Sequence, residues 1–164
     1  MNNPLSTARI LRRPAQSGFT MVEVLVALVV LSIGLLGIAG LLLKSLQSGR
    51  TATYRTQAVN LAADLADRIR MNRTATNGYG TLFADVEVGV PACDGTGGCS
   101  DVELASTDLS RWKATLAQVL PGGQGQVVVT PPVGTGEPSN YVITVQWTEV
   151  GELNAVTFQI GFQT

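Results

Sequence analysis

Hydrophobic and polar positions divide the 164-residue chain into stretches of different period. From Val24 to Leu43 twenty consecutive residues carry no charge, and the apolar run is broken only by Ser32, Gly34, Gly37 and Gly40. As a helix this run reaches about 30 Å, the thickness of a bilayer's hydrocarbon core. Beyond it, Tyr54, Ala58, Leu61, Leu65 and Ile69 recur at steps of three and four, which predicts one apolar face of a helix continuing to about Met71. Asn77-Gly78 then supplies a break. Counted from Thr20, a single helix would measure about 75 Å, and two helices joined near Gly49 are the alternative.

The pattern changes in the last third. Tyr141, Ile143, Val145 and Trp147 alternate on one face of a strand, and Val156, Phe158, Ile160 and Phe162 alternate on the next. Gly151-Glu152-Leu153 connects them, which predicts an antiparallel hairpin, and Val127 to Thr130 offers a third strand. Leu82, Ala84, Val86, Val88 and Val90 alternate as well and suggest a fourth. Leu109, Trp112, Leu116 and Val119 follow helical spacing, with a cap expected within Ser106 to Asp108 and a stop at Pro121-Gly122-Gly123. The fold class is therefore α+β, one long helix laid on a small antiparallel sheet.

Composition narrows the function. Apolar residues make up 45% and charged residues only 14%, at a mean hydropathy of +0.25, which suits a membrane or filament protein better than a soluble enzyme. Histidine is absent, which removes the commonest general base, the commonest zinc ligand and every Ser-His or Cys-His arrangement. No nucleophile elbow, phosphate loop or paired-carboxylate motif stands out, so a membrane-tethered periplasmic enzyme is a remote alternative. Arg9, Arg12 and Arg13 precede the apolar run in a stretch without acids, which places the N-terminus in the cytoplasm and residues after about 44 outside it. Lys44-Ser45-Leu46-Gln47 after the run contains no small-residue cleavage pattern, so the apolar segment is expected to be retained.

Glu23 is the odd residue at the head of this run. Alone it reads as a boundary carboxylate that snorkels to the headgroups, since a charge in hydrocarbon costs about 3 kcal/mol. Its neighbours point elsewhere. A basic leader, then Gly18-Phe19-Thr20-Met21-Val22-Glu23, then the apolar run resembles the processing site of type IV pilins and type II secretion pseudopilins. The resemblance implies a cytoplasmic leader over residues 1–18, cleaved by a prepilin peptidase between Gly18 and Phe19. It implies N-methylation of Phe19, a hydrophobic helix over 19–43, an exported head over 44–164, and an assembly role for Glu23. That carboxylate would neutralise the Phe19 amine of a neighbouring subunit, where a lone charge is costly.

Within that group, the stretch Ala62 to Asn72 with Trp112, Leu120-Pro121-Gly122-Gly123 and Val145-Gln146-Trp147 is similar to PilV-type minor pilins. This implies a low-abundance subunit, not an enzyme, that joins other minor pilins and the major pilin on the inner-membrane assembly platform. It would prime the pilus, support a tip adhesin and twitching motility, and pass from the inner membrane to the cell surface. A type II secretion pseudopilin is the alternative. The helix-bending proline of many major pilins is missing, and Gly34, Gly37 and Gly40 stand in this region, either for close packing or for local unwinding.

Cys93 and Cys99 enclose a short glycine-rich loop, and an exported head meets an oxidising compartment, so a disulfide is expected. No cofactor is expected. Two cysteines without histidine fall short of a structural zinc site, and calcium on Asp94, Asp101 and Glu103 lacks EF-hand spacing. Residues 44–73 hold six basic groups against two acids, while 74–164 hold Arg111 and Lys113 against nine acids. This asymmetry predicts attraction between helix and head or between neighbouring subunits, and it argues against a nucleic-acid-binding head.

Overall fold

A computed structural model describes residues 18–94, 98–134 and 136–164. The basic residues Arg9, Arg12 and Arg13 lie outside them. Helix α1 runs Met21–Met71, helix α2 Asp101–Val119, and the strands are β1 Gln124–Thr130, β2 Asn140–Trp147 and β3 Val156–Gln163. Two 3-10 segments, Arg73–Tyr79 and Pro91–Asp94, lie between the helices. The three strands form one antiparallel sheet in the order β1-β2-β3. Internal contacts divide the chain at Leu43/Lys44 into an N-terminal unit and a C-terminal unit.

In the N-terminal unit the side chains from Val22 to Leu43 are exposed throughout. The helix has an apolar stretch of mean hydropathy 2.8, long enough to cross a membrane and with none of it buried by the chain itself.

In the C-terminal unit the same helix becomes amphipathic. Ala58, Ala62, Leu65, Ala66 and Ile69 are fully buried and join Leu109, Leu116, Val127, Tyr141, Ile143, Val145 and Trp147 in one core. The methyl side chains of Ala58, Ala62 and Ala66 stand four apart, so they line one face and let the helix backbone come close to what it packs on. Trp112 ties α2 to α1 by donating from Nε1 to the Leu61 carbonyl at 2.9 Å. The four aromatic and aliphatic residues expected on β2 are buried, while Val156, Phe158, Ile160 and Phe162 on β3 are only half-buried against the same core.

Two expectations change. Residues 82–90 form no strand, and only Thr81 bridges to Val127. Their polar backbone groups are taken by side chains instead. Lys113 Nζ donates to the carbonyls of Leu82 and Asp85 at 2.6 and 2.8 Å, Ser106 donates to Val88 O, and Val90 N–H donates to Thr107. Val86 and Val88 face solvent, so their alternation does not mark a core face. Helix α2, moreover, starts earlier than its apolar spacing implies. Ser100 accepts from Glu103 N–H while Glu103 accepts from Ser100 N–H, a reciprocal capping box that begins the helix two turns before Ser106 to Asp108.

A buried polar network closes the join between the helices. Asp108 accepts from Arg68 Nη1 at 2.8 Å and from the Tyr79 hydroxyl at 3.0 Å, and Asn72 Nδ2 donates to the Tyr79 oxygen and to Asp101 O. Burial raises the Tyr79 phenol to about 12, opposed by the Asn72 bond and assisted by the nearby Asp108 charge. Cys93 and Cys99 are joined in a disulfide with Cα atoms 5.2 Å apart. Closing so short a loop contributes about 2 kcal/mol in the chain-entropy model, a local tie and not the basis of the fold.

The passage from α2 into β1 depends on two glycines, Gly123 in the turn and Gly125 in the strand. A Cβ at Gly123 would collide with the backbone carbonyl of Leu116, and one at Gly125 with the Trp112 ring. Gly123→Ala should therefore destabilise the protein by about 3 kcal/mol, because backbone cannot move aside as a side-chain tip can. Gly134→Ala, whose Cβ would meet only the flexible Glu137 side chain, should change stability by less than about 0.5 kcal/mol. Urea unfolding of both variants in detergent checks this.

The network makes a second prediction. An unfolded tyrosine ionises near pH 10 whereas folded Tyr79 stays neutral to about 12, so its contribution is complete below pH 10 and is lost as pH rises through that window. Tyr79→Phe should lower stability at neutral pH by about 1 kcal/mol and flatten the decline between pH 10 and 12. Burial also raises the Tyr141 phenol, so a shallower decline should persist in the variant. Unfolding curves taken across this pH range check the sign.

Candidate functional site

The residues singled out at the helix start lie together on one short segment. Gly18, Phe19 and Thr20 precede α1 as exposed backbone outside any regular element, and beyond the chain neighbours no heavy atom lies within 4 Å of where a Gly18 Cβ would be. Phe19 is 83% exposed. Thr20 has a role that its hydropathy did not suggest: its hydroxyl accepts the Glu23 N–H at 3.2 Å, and its carbonyl accepts Val24 N–H at 3.3 Å. Thr20 thus caps the helix, and Thr20-x-x-Glu23 has the same Ser/Thr-x-x-Glu form as the box that begins α2. Both members lie downstream of the Gly18-Phe19 bond, so cleavage there leaves the cap whole.

Phe19, Glu23, Val24, Ala27, Leu28 and Leu31 line a shallow apolar groove on one face of the helix. Glu23 is its one ionisable group. Its carboxylate makes no ion pair among the described residues. An acid in the first turn interacts favourably with the positive end of the helix dipole. A free amine created at Phe19 would sit at that same end, where positive charge is disfavoured unless a carboxylate offsets it.

In the C-terminal unit the charge asymmetry is used internally. Arg55 reaches Glu149 with two bonds, at 3.2 and 3.3 Å, and Glu149 also accepts from Trp147 Nε1 at 3.0 Å. Glu149 is buried while Arg55 remains exposed, and its guanidinium is shifted up first by this bond and then by the attraction of the same carboxylate. Arg68 bridges Asp64 and Asp108. Asp64 and Arg68 stand four apart on one helix, whereas Asp108 and Glu149 lie 40 and 94 residues from their arginines and are out of reach of sequence spacing.

Lys113 was also missed as a functional side chain. Its ammonium bonds Thr81 Oγ1 and the two loop carbonyls, with Glu87 at 4.0 Å, and burial lowers its pKa against the opposing pull of Glu87 and Asp85. No cluster of three metal-ligating side chains occurs among the described residues. Of the acids considered for calcium, Glu103 is engaged by Ser100, which also holds its carboxyl below the usual range.

Two family models match the chain. The prokaryotic N-terminal methylation motif covers residues 13–39, and the model described as type IV pilin Tt1218 covers residues 40–110. No curated protein and no solved structure matches at a significant level. The first match contains Gly18, Phe19 and Glu23, and the second runs through the amphipathic half of α1, the disulfide and the start of α2. Together the two matches span residues 13–110, and over that stretch the chain is similar to a type IV pilin with an N-terminal methylation motif, in keeping with the one helix among the described residues that is long and apolar enough for membrane anchorage.

Proposed function

We propose that the chain is a PilV-type minor pilin that is cut by prepilin peptidase between Gly18 and Phe19, methylated at Phe19, and recruited with other minor pilins to prime a type IV pilus. The observation that carries this reading is the helix start. An exposed Gly-Phe bond is followed by a capped helix whose uncharged run from Val24 to Leu43 packs on nothing among the described residues. Such a surface is at rest in lipid and equally suited to a bundle of like helices. The leader stays in the cytoplasm and the head, residues 44–164, enters the periplasm, where the disulfide is stable.

Glu23 supplies direction to the exchange. In lipid an unpaired carboxylate is unfavourable, and a neighbouring subunit's N-methyl-Phe19 ammonium removes that penalty while relieving its own position at a helix start. Recruitment of one subunit by another thus follows from charge as well as from apolar contact. The softer residues of the PilV resemblance have structural work in the head. Trp112 bonds the Leu61 carbonyl, and Leu120-Pro121-Gly122-Gly123 forms the turn whose Pro121 carbonyl accepts both Thr148 N–H and the Thr148 hydroxyl.

Glu23→Ala and Glu23→Gln test the assembly role. Membrane level should be unchanged or slightly raised, because a charge that costs about 3 kcal/mol at most in lipid has gone. Co-purification with partner pilins should fall at least tenfold, since an ammonium left unpaired in a dry interface costs about 3–5 kcal/mol. Normal recovery of partners at normal abundance would remove the role. Recovery with secretion-system subunits in place of pilus subunits would reassign the chain to the pseudopilins.

A further inference from the structure

Strand β3 lies at one edge of the sheet, and its outer side pairs with nothing among the described residues. Which groups face outward follows from its end. Ser139 and Thr164 exchange both of their backbone bonds, at 3.0 and 3.1 Å, and in an antiparallel ladder such bonded pairs alternate. Phe162, Ile160, Phe158 and Val156 therefore turn their backbone groups to β2, while Thr157, Gln159, Gly161 and Gln163 turn theirs outward. Edge strands are ordinarily protected by charge, proline or a bulge. Val156–Gln163 contains no charged residue and no proline, and its register with β2 runs unbroken.

Two features of this edge have no use within the chain. A Cβ at Gly161 would meet only the Tyr141 carbonyl oxygen, at 3.9 Å, and the residue's φ is not positive, so neither packing nor backbone conformation calls for glycine in mid-strand. Glycine inside a strand weakens it and often marks the close approach of another backbone or a ligand. Nearer the start of β3, a pocket of about 230 Å³ is lined by Arg55, Val59, Trp147, Val156, Thr157 and Phe158. It lies on the side of the half-buried row Val156, Phe158, Ile160 and Phe162, which β2 and the helices leave partly uncovered.

A second copy of the same head fills neither space well. Its β1 edge is closed where Thr81 exchanges bonds with Val127. Its β3, paired antiparallel about Ile160 or about Gln159, would set Gln159 or Thr157 opposite Gly161; the first is already bonded to Thr144 at 3.0 Å, and the second is small. Phe162, opposite Phe158 in the first of these registers, is stacked on Tyr141 at 5.4 Å and lies under Arg70 at 4.6 Å. We propose that an extended segment of a different pilus subunit adds to β3 as a fourth strand, with an apolar side chain entering the pocket at Thr157 and a large one lying over Gly161 on the opposite face. Backbone bonds supply the attraction, and the two spaces select the sequence. That the segment comes from a pilus subunit rests on the reading of the chain as a minor pilin; that the edge takes a strand does not.

Photo-crosslinking of the full chain in its native cell tests this, with benzoylphenylalanine placed one position at a time at Thr157, Gln159 and Gln163. The adducts should fall on one stretch of one other pilus subunit. They should advance along it by about two residues from position 157 to 159 and by about four from 159 to 163, in a single direction, as a strand ladder requires. Gly161→Val occupies the space above the strand and should leave the urea midpoint of the detergent-solubilised protein unchanged or raised, while cutting the adduct from position 157 by about fivefold or more. Gln159→Pro removes an outward N–H that the fold does not use, and should leave the protein folded with a similar loss of adduct. The same ladder on a secretion-system subunit would support the edge pairing and overturn the minor-pilin reading. Adducts on residues 156–163 of a second copy, adducts scattered over many proteins, no adducts, or undiminished adducts in both folded variants would overturn the pairing itself.

Discussion

One helix in two environments is the constraint on which everything else depends. From Val24 to Leu43 the surface of α1 is uncharged on all sides and nothing among the described residues covers it; from Ala58 to Ile69 one face is fully buried in the head. The transition falls where Lys44, Arg50 and Arg55 enter and where small side chains begin to alternate with polar ones. Ala58, Ala62 and Ala66 allow close approach with little side-chain entropy to lose, while Leu65 and Ile69 supply the apolar area. The amphipathic half of the helix is therefore a structural part of the head's core, and the apolar half is left for lipid or for other helices.

Polar ties reinforce that union at separate points. Arg55 with Glu149, Arg68 with Asp108, and Trp112 with the Leu61 carbonyl each join α1 to an element far away in sequence. Exposed pairs contribute little, but Glu149 and Asp108 are themselves buried, so removal of either cation would leave an uncompensated carboxylate. The excess of base in residues 44–73 and of acid in 74–164 is thereby partly resolved within one chain. Arg50 and Lys44, nearest the apolar run, are among the cations that these three ties do not use.

Much of this was legible from periodicity. Steps of three and four found the buried stripe of α1, and strict alternation found β2 and β3, because burial on a regular element imposes its period on the sequence. Alternation misled at Leu82 to Val90, where Lys113, Ser106 and Thr107 satisfy the backbone from a neighbouring helix and leave Val86 and Val88 in solvent. Helix starts were less legible than helix bodies. Thr20-x-x-Glu23 and Ser100-x-x-Glu103 both state a cap plainly, but one lay inside the segment read for processing and the other before the first apolar repeat of α2. Glu149, Asp108 and Lys113 had no local signal at all, since their partners are set by tertiary placement.

The central proposal is that Phe19, just ahead of α1, becomes the processed N-terminus, because the groove with Glu23 would serve assembly only when an amine is created there. Intact-mass analysis with N-terminal fragmentation, on protein extracted from the native membrane without reduction, tests it most directly. The account predicts a chain of residues 19–164 with one methyl group on the Phe19 nitrogen and two hydrogens fewer for the Cys93–Cys99 disulfide. A chain that keeps residues 1–18, or one cut after Leu43 so that the helix is lost, would contradict it.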